Sequence, residues 1–189
     1  QNPTYYNNFG NVVRFDNYLN LYVGASSYNE SGGTTDGAFA VFTFNKDLWS
    51  FKTVRTFADP QSLSSETMLN TEHNQHFGNA VAASNRVFLV GSYGADTSSR
   101  TGEGLVYSYG YNNGEFSIQQ ELVASNAATN AYFGAAIAIY ENYAVIGAYG
   151  ANSNTGRAYI FEYNDSTRDV HSTEPTPISW GWYEKSILN

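Results

Sequence analysis

One phrase is written three times along this chain, and it limits what the chain can fold into. It reads Phe9-Gly10 with Val23-Gly24-Ala25, then Phe77-Gly78 with Val90-Gly91-Ser92, then Phe133-Gly134 with Ile146-Gly147-Ala148. Each copy is followed by a glycine and an alternating aromatic segment: Gly37-Ala38-Phe39-Ala40-Val41-Phe42, Gly104-Leu105-Val106-Tyr107-Ser108-Tyr109 and Gly156-Arg157-Ala158-Tyr159-Ile160-Phe161. Repetition at an interval of about 40 to 60 residues marks stacked supersecondary units, none of which can bury its faces alone.

The segments inside each copy read as strands. Apolar runs are short, β-branched or aromatic, and bounded by Gly, Asn and Ser, while helical periodicity is missing. In the third copy Ala135–Ile139, Tyr143–Gly147 and Arg157–Tyr163 are strands, with a turn at Glu141-Asn142 and a loop over Gly150–Gly156. The second copy runs in parallel: Asn79–Ala83, Arg86–Gly91, Leu105–Tyr109 and Phe116–Val123, with a hairpin signal at Asn112-Asn113-Gly114. Trp49, Phe116 and Trp182 open the outermost strands. The fold expected is all-β: three four-stranded antiparallel meanders, arranged as β-propeller-type blades in an incomplete or assembled propeller or stack. The first strands of copies two and three are full of Ala and Gly, as inner strands converging on a common axis require; Val12-Val13-Arg14-Phe15 in copy one departs from this. The units are taken as 1–70 with a loop insertion at 59–72, 71–126, and 127–189 with a long Ser-, Thr- and Pro-rich loop at 164–177.

Asn2, Asn70 and Asn126 stand at the same offset before their Phe-Gly, and the chain stops at Asn189 after Ser186-Ile187-Leu188, comparable with Thr67-Met68-Leu69 before Asn70. The expectation is three whole units cut at the same phase. Three blades do not close a ring. Either the sequence is an internal segment of a longer array, or separate copies join end to end.

These residues resemble the FG-GAP repeats, the blades of integrin α-subunit propellers and of many secreted adhesion and surface proteins. The resemblance rests on Phe9-Gly10, Phe77-Gly78 and Phe133-Gly134, on Gly24-Ala25, Gly91-Ser92 and Gly147-Ala148, and on Trp49, Phe116 and Trp182. It implies a propeller of the cell exterior. Two departures are plain. The Pro that follows Gly-Ala in the family is replaced by Ser26, Tyr93 and Tyr149. The family's Asp-rich calcium loop is replaced by turns at Asp16-Asn17, Ser84-Asn85 and Glu141-Asn142, too short to supply six to eight oxygens. The resemblance is therefore to a calcium-free branch, and no metal or other cofactor is expected.

Chemistry is scarce. Net charge is −8 with nine basic residues, which gives no electrostatic footprint for nucleic acid. Only 14% of residues are charged, so Asn, Ser, Thr, Tyr and Gly must supply the polar surface. Cysteine is absent, which excludes disulfides and thiolate metal sites. No apolar run has the length of a membrane helix. His73 and His76 form half a metal site at most and read as a polar link between units; His171 stands apart. Asp96 and Glu103 flank a Gly-rich loop without a catalytic motif, so no enzyme is expected. Tyr93 and Tyr149 occupy equivalent places at the mouths of two units. They either stack on sugars as ligand-contact residues or pack against the next blade. Asn29 and Asn164 begin glycosylation triplets.

The function that follows is a non-catalytic extracellular structural or adhesion module, a building block of a surface fibre or larger multi-copy assembly. Its partners would be further copies of itself or adjoining repeats, with glycans in second place. The alternative is a carbohydrate-binding, lectin-like propeller. Location would be extracellular or at the cell surface.

Overall fold

The alternating segments pair with their sequence neighbours, as short connections between antiparallel strands dictate. A computed structural model describes residues 8–28, 37–45, 48–56, 75–84, 87–96, 100–112, 115–164 and 181–189. These form three four-stranded antiparallel sheets, each a simple meander. The first holds β1 (Phe9–Phe15), β2 (Asn20–Ala25), β3 (Ala38–Asn45) and β4 (Leu48–Thr56). The second holds β5 (Phe77–Ala83), β6 (Val87–Ser92), β7 (Leu105–Asn112) and β8 (Glu115–Leu122). The third holds β9 (Phe133–Tyr140), β10 (Tyr143–Ala148), β11 (Arg157–Asn164) and β12 (Gly181–Leu188). The all-β meanders expected from the sequence are present, and they form blade-like layers rather than a closed barrel.

The three sheets share even their irregularities. The third and fourth strands slip register at Val41/Phe42, at Ser108/Tyr109 and at Ile160/Phe161, which are equivalent positions. Each Phe-Gly lies at a slip in the pairing of its first and second strands. A bulge leaves an unpaired residue and increases local twist, so the three blades twist at matching places.

The cores lie between sheets. Strand alternation sends one set of side chains toward the preceding blade and the other toward the following one. Leu105, Tyr107 and Tyr109 of β7 meet Tyr22, Phe39 and Val41 of the first sheet. Tyr159 and Phe161 of β11 meet Leu89 and Val106 of the second. Along the inner side β5 touches β9 on one flank and β1 and β2 on the other. The small residues of β5 and β9 permit that approach.

One local expectation needs correction. The first turn is not two residues at Asp16-Asn17 but four, Asp16–Leu19, between Phe15 and Asn20. Tyr18 and Leu19 look like strand residues, yet Leu19 takes a left-handed φ of 60° to reverse the chain. The expected loop over Gly150–Gly156 is present between β10 and β11. Ala151–Asn154 makes one tight turn in which Asn152, Ser153 and Asn154 all have positive φ. Short polar side chains tolerate that conformation. The Glu141-Asn142 turn stands as expected, with Glu141 at φ 55°. Insertion 59–72, residues 165–177, His73, His171, Asn29, Asn85 and Asn113-Gly114 lie outside the described residues.

Candidate functional site

The joints between blades are built from glycines. Gly78 and Gly134 hold φ of 81° and 89°, a region closed to most side chains. This turns their carbonyls toward the preceding blade. A Cβ on Gly24 would land on the Gly78 carbonyl oxygen, and a Cβ on Gly91 would land on that of Gly134. A second contact repeats alongside. A Cβ on Gly37 would strike the Phe77 backbone, and one on Gly104 the Phe133 backbone. Phe77-Gly78 and Phe133-Gly134 thus each sit in a seat made by two glycines of the blade before, and Phe77 and Phe133 are completely buried there.

An asparagine clasps each joint. The Asn11 amide donates to the carbonyl of Asn79 at 3.1 Å, and the Asn79 amide donates to the carbonyl of Ala135 at 3.0 Å. These residues are equivalent, one after each Phe-Gly. At the outer end of the second joint the Trp182 indole donates to the Ser108 hydroxyl at 3.1 Å. There too the Gln120 amide donates to the Trp182 carbonyl at 2.9 Å, and the Trp182 N–H donates back to Gln120 Oε1 at 2.6 Å. Ser125 donates to Glu184 through its N–H at 2.9 Å and its hydroxyl at 2.6 Å.

The same features recur, unfilled, at both outer faces. On the first sheet Phe9 is 61% exposed, whereas its equivalents Phe77 and Phe133 are fully buried, and Trp49 is 46% exposed, whereas its equivalents Phe116 and Trp182 are 5% and 3% exposed. Nothing stands within 4 Å of a Cβ placed on Gly10. On the third sheet Val145 is 41% exposed, whereas the equivalent Leu89 is fully buried. A Cβ on Gly147 would meet nothing closer than the Ala136 Cβ, at 3.5 Å, and one on Gly156 would meet nothing closer than 3.7 Å. A shallow open pocket of about 430 Å³ lies over them, lined by Tyr93, Ala136, Gly147, Tyr149, Gly156 and Arg157.

Tyr93 and Tyr149 come together in an aromatic row. Tyr93 stacks on His76 at 4.6 Å and 10°, and Tyr149 stacks on Tyr132 at 4.8 Å and 20°. Across the joint Tyr93 meets Tyr132 and Tyr149 edge-on at 6.0 and 6.3 Å. Tyr93 therefore packs against the next blade, while Tyr149 keeps an open flank. Burial first, then the neighbouring Tyr149 and Tyr132 hydroxyls, push the Tyr93 phenol up. Burial holds the His76 imidazole below its ordinary 6.5, against a weaker upward pull from a hydrogen bond with the Ser26 backbone. Sequence reasoning missed His76 and Tyr132 as stacking partners. Their shared signal was position: each immediately precedes a Phe-Gly and has positive φ, as does Asn8.

The remaining candidates are occupied with protein donors or stand alone. The buried Asp16 carboxylate accepts the N–H groups of Tyr18 and Asn20 at 2.8 and 2.9 Å. It also accepts the Asn20 amide at 2.7 Å and the Tyr22 hydroxyl at 2.9 Å. Asp96 accepts the Gly102 N–H, and Glu103 pairs with Arg100 at 3.5 Å. Asn164 ends β11 opposite Gly181 and is half-buried. Among the described residues no three His, Asp or Glu side chains gather as a metal site. No helix among them is long and apolar enough to cross a membrane.

A search of curated proteins returned no match. Residues 116–161 match the family model of the FG-GAP repeat. The matched stretch takes β8 of the second sheet and carries through β9, β10 and β11, so it includes Phe133-Gly134, the entering half of the second joint, but not its seat at Gly91 and Gly104. Over those residues the chain is similar to the FG-GAP repeat, and the glycine seats recur at both internal joints.

Proposed function

We propose that this chain is a non-catalytic structural or adhesion module of the cell exterior, a building block of a fibre or another array of like units. FG-GAP repeats are typical of extracellular and surface proteins and usually stand in multi-repeat assemblies, which supports the setting. The carrying observation is that both outer faces display the residues of the two internal joints. Phe9 and Trp49 are open on one side, Gly147, Gly156 and Val145 on the other. Exposing such apolar surface is costly for an isolated unit and normal for a subunit of something larger. The acidic side chains of the Gly-rich loop are engaged in holding that loop, which favours a scaffold over a catalyst. Mass measurement of the intact native material tests the reading. An assembly or a longer array of units is expected, and a stable 20.8 kDa monomer would refute it.

The open flank of Tyr149 beside the pocket supports one second reading, a carbohydrate-binding surface. Planar aromatic faces suit sugar rings. A glycan array tests it, with binding lost in Tyr149→Ala; silence across all sugars retires it.

A further inference from the structure

Resting on the multi-unit reading above, we propose that the open face of the third sheet is a seat for the first sheet of a second copy of this chain. Phe9-Gly10 of the incoming copy enters between Gly147 and Gly156, and its Trp49 lies over Val145. The molecule supplies the template twice. Phe77-Gly78 fills the seat of Gly24 and Gly37, and Phe133-Gly134 fills the seat of Gly91 and Gly104. Phe116 lies 6.2 Å from Tyr22, the residue equivalent to Val145. Val13 fits the same scheme: it is 42% exposed, whereas its equivalents Val81 and Ile137 are buried against the preceding blade. Both halves of the joint are therefore on one molecule but on opposite faces. Such a contact is heterologous: it closes into a ring or extends as a series, according to the rotation at each step. Two copies would bring six blades together, within the usual range of about four to eight for a closed ring.

The joint between copies differs from the internal joints in one atom group. Asn11 and Asn79 clasp the blade that follows them, but Ala135 stands at the third position and has no amide to donate. The joint in trans thus lacks a hydrogen bond that both joints in cis possess. It is the reversible one of the three.

The test is sedimentation of the purified chain over a range of concentrations, with three variants. Phe9→Ser removes the plug and Gly147→Val fills the seat. Both positions are open in a single copy, so both variants keep the fold. Each alone is expected to stay single where the wild type associates, with affinity lowered on the order of a hundredfold. Mixed, they are expected to form pairs and nothing larger, because the Phe9→Ser copy retains a good seat and the Gly147→Val copy a good plug. Ala135→Asn is expected to tighten association by roughly five- to tenfold. A wild-type chain that stays single at every concentration overturns the second copy as occupant. It leaves the multi-unit reading to its own test, the mass of the native material. Association that both single variants leave intact, or a mixture that does not pair, overturns the assignment of the seat.

Discussion

Phe9, Phe77 and Phe133 open the same phrase, but only the last two have a blade in front of them. Truncation should separate them. Phe133→Ala empties a fully buried site and is expected to cost about 3–5 kcal/mol in chemical denaturation, whereas Phe9→Ala should cost less than about 0.5 kcal/mol for the single copy. Equal losses would show that Phe9 is covered within its own chain. His76 makes a second residue-scale prediction. Its folded-state pKa is lowered, so the folded protein takes up this proton less readily than the unfolded chain does. Its contribution is complete above about pH 6.5 and is lost as pH falls from there through the folded value. NMR titration should place the His76 midpoint below 6.5, and His76→Asn, the residue found at the equivalent Asn8, should remove its share of the acid destabilisation. A midpoint above 6.5 would contradict the burial argument. At this scale the sequence was partly legible. The glycines and phenylalanines were found because they recur. That Phe9 and Trp49 are bare could not be read, since exposure depends on a neighbour and not on the residue.

At the level of elements, the joints make glycine tolerance depend on position. Gly91 and Gly147 stand at the same place in β6 and β10, and both are strand residues without positive φ. Gly91→Ala drives a methyl group into the Gly134 carbonyl and is expected to destabilise by about 2–3 kcal/mol. Gly147→Ala adds an ordinary contact with Ala136 and should be neutral, or slightly stabilising through reduced freedom of the unfolded chain. Thermal unfolding of the two variants side by side checks this, and matching shifts would sink the seat geometry. The strands themselves were legible, because their alternation has no helical counterpart. The Asp16–Leu19 turn was not. Its shape comes from four donors gathering on one carboxylate, and three of them, the N–H and side-chain amide of Asn20 and the hydroxyl of Tyr22, belong to the following strand. The aromatic row was half legible. Tyr93 and Tyr149 were found by equivalence, but stacking on His76 and Tyr132 depends on how the chain turns into each Phe-Gly.

For the whole molecule, the placement of the cores between sheets sets the order of local opening. The first strand of the first sheet has almost no cover, with exposed residues along nearly its full length, whereas β5 and β6 are covered on both flanks. Amide exchange should therefore lose protection in β1 before β5, β6 and β10, at an opening free energy well below that of global unfolding. Uniform protection across the three sheets would indicate a single cooperative block. Association through the seat would reverse the order for β1 alone, so exchange measured at low and high concentration also reports on the joint. The number of repeats was legible in the sequence; which surface stays bare required the coordinates.

The register slips that recur at Val41, Ser108 and Ile160 have an evolutionary consequence. A blade that meets both neighbours through the same few backbone groups is interchangeable with them. Duplicating or deleting one whole blade leaves every surviving joint with its old partner chemistry. A gene of this kind can change length in single-blade steps without inventing a new interior each time.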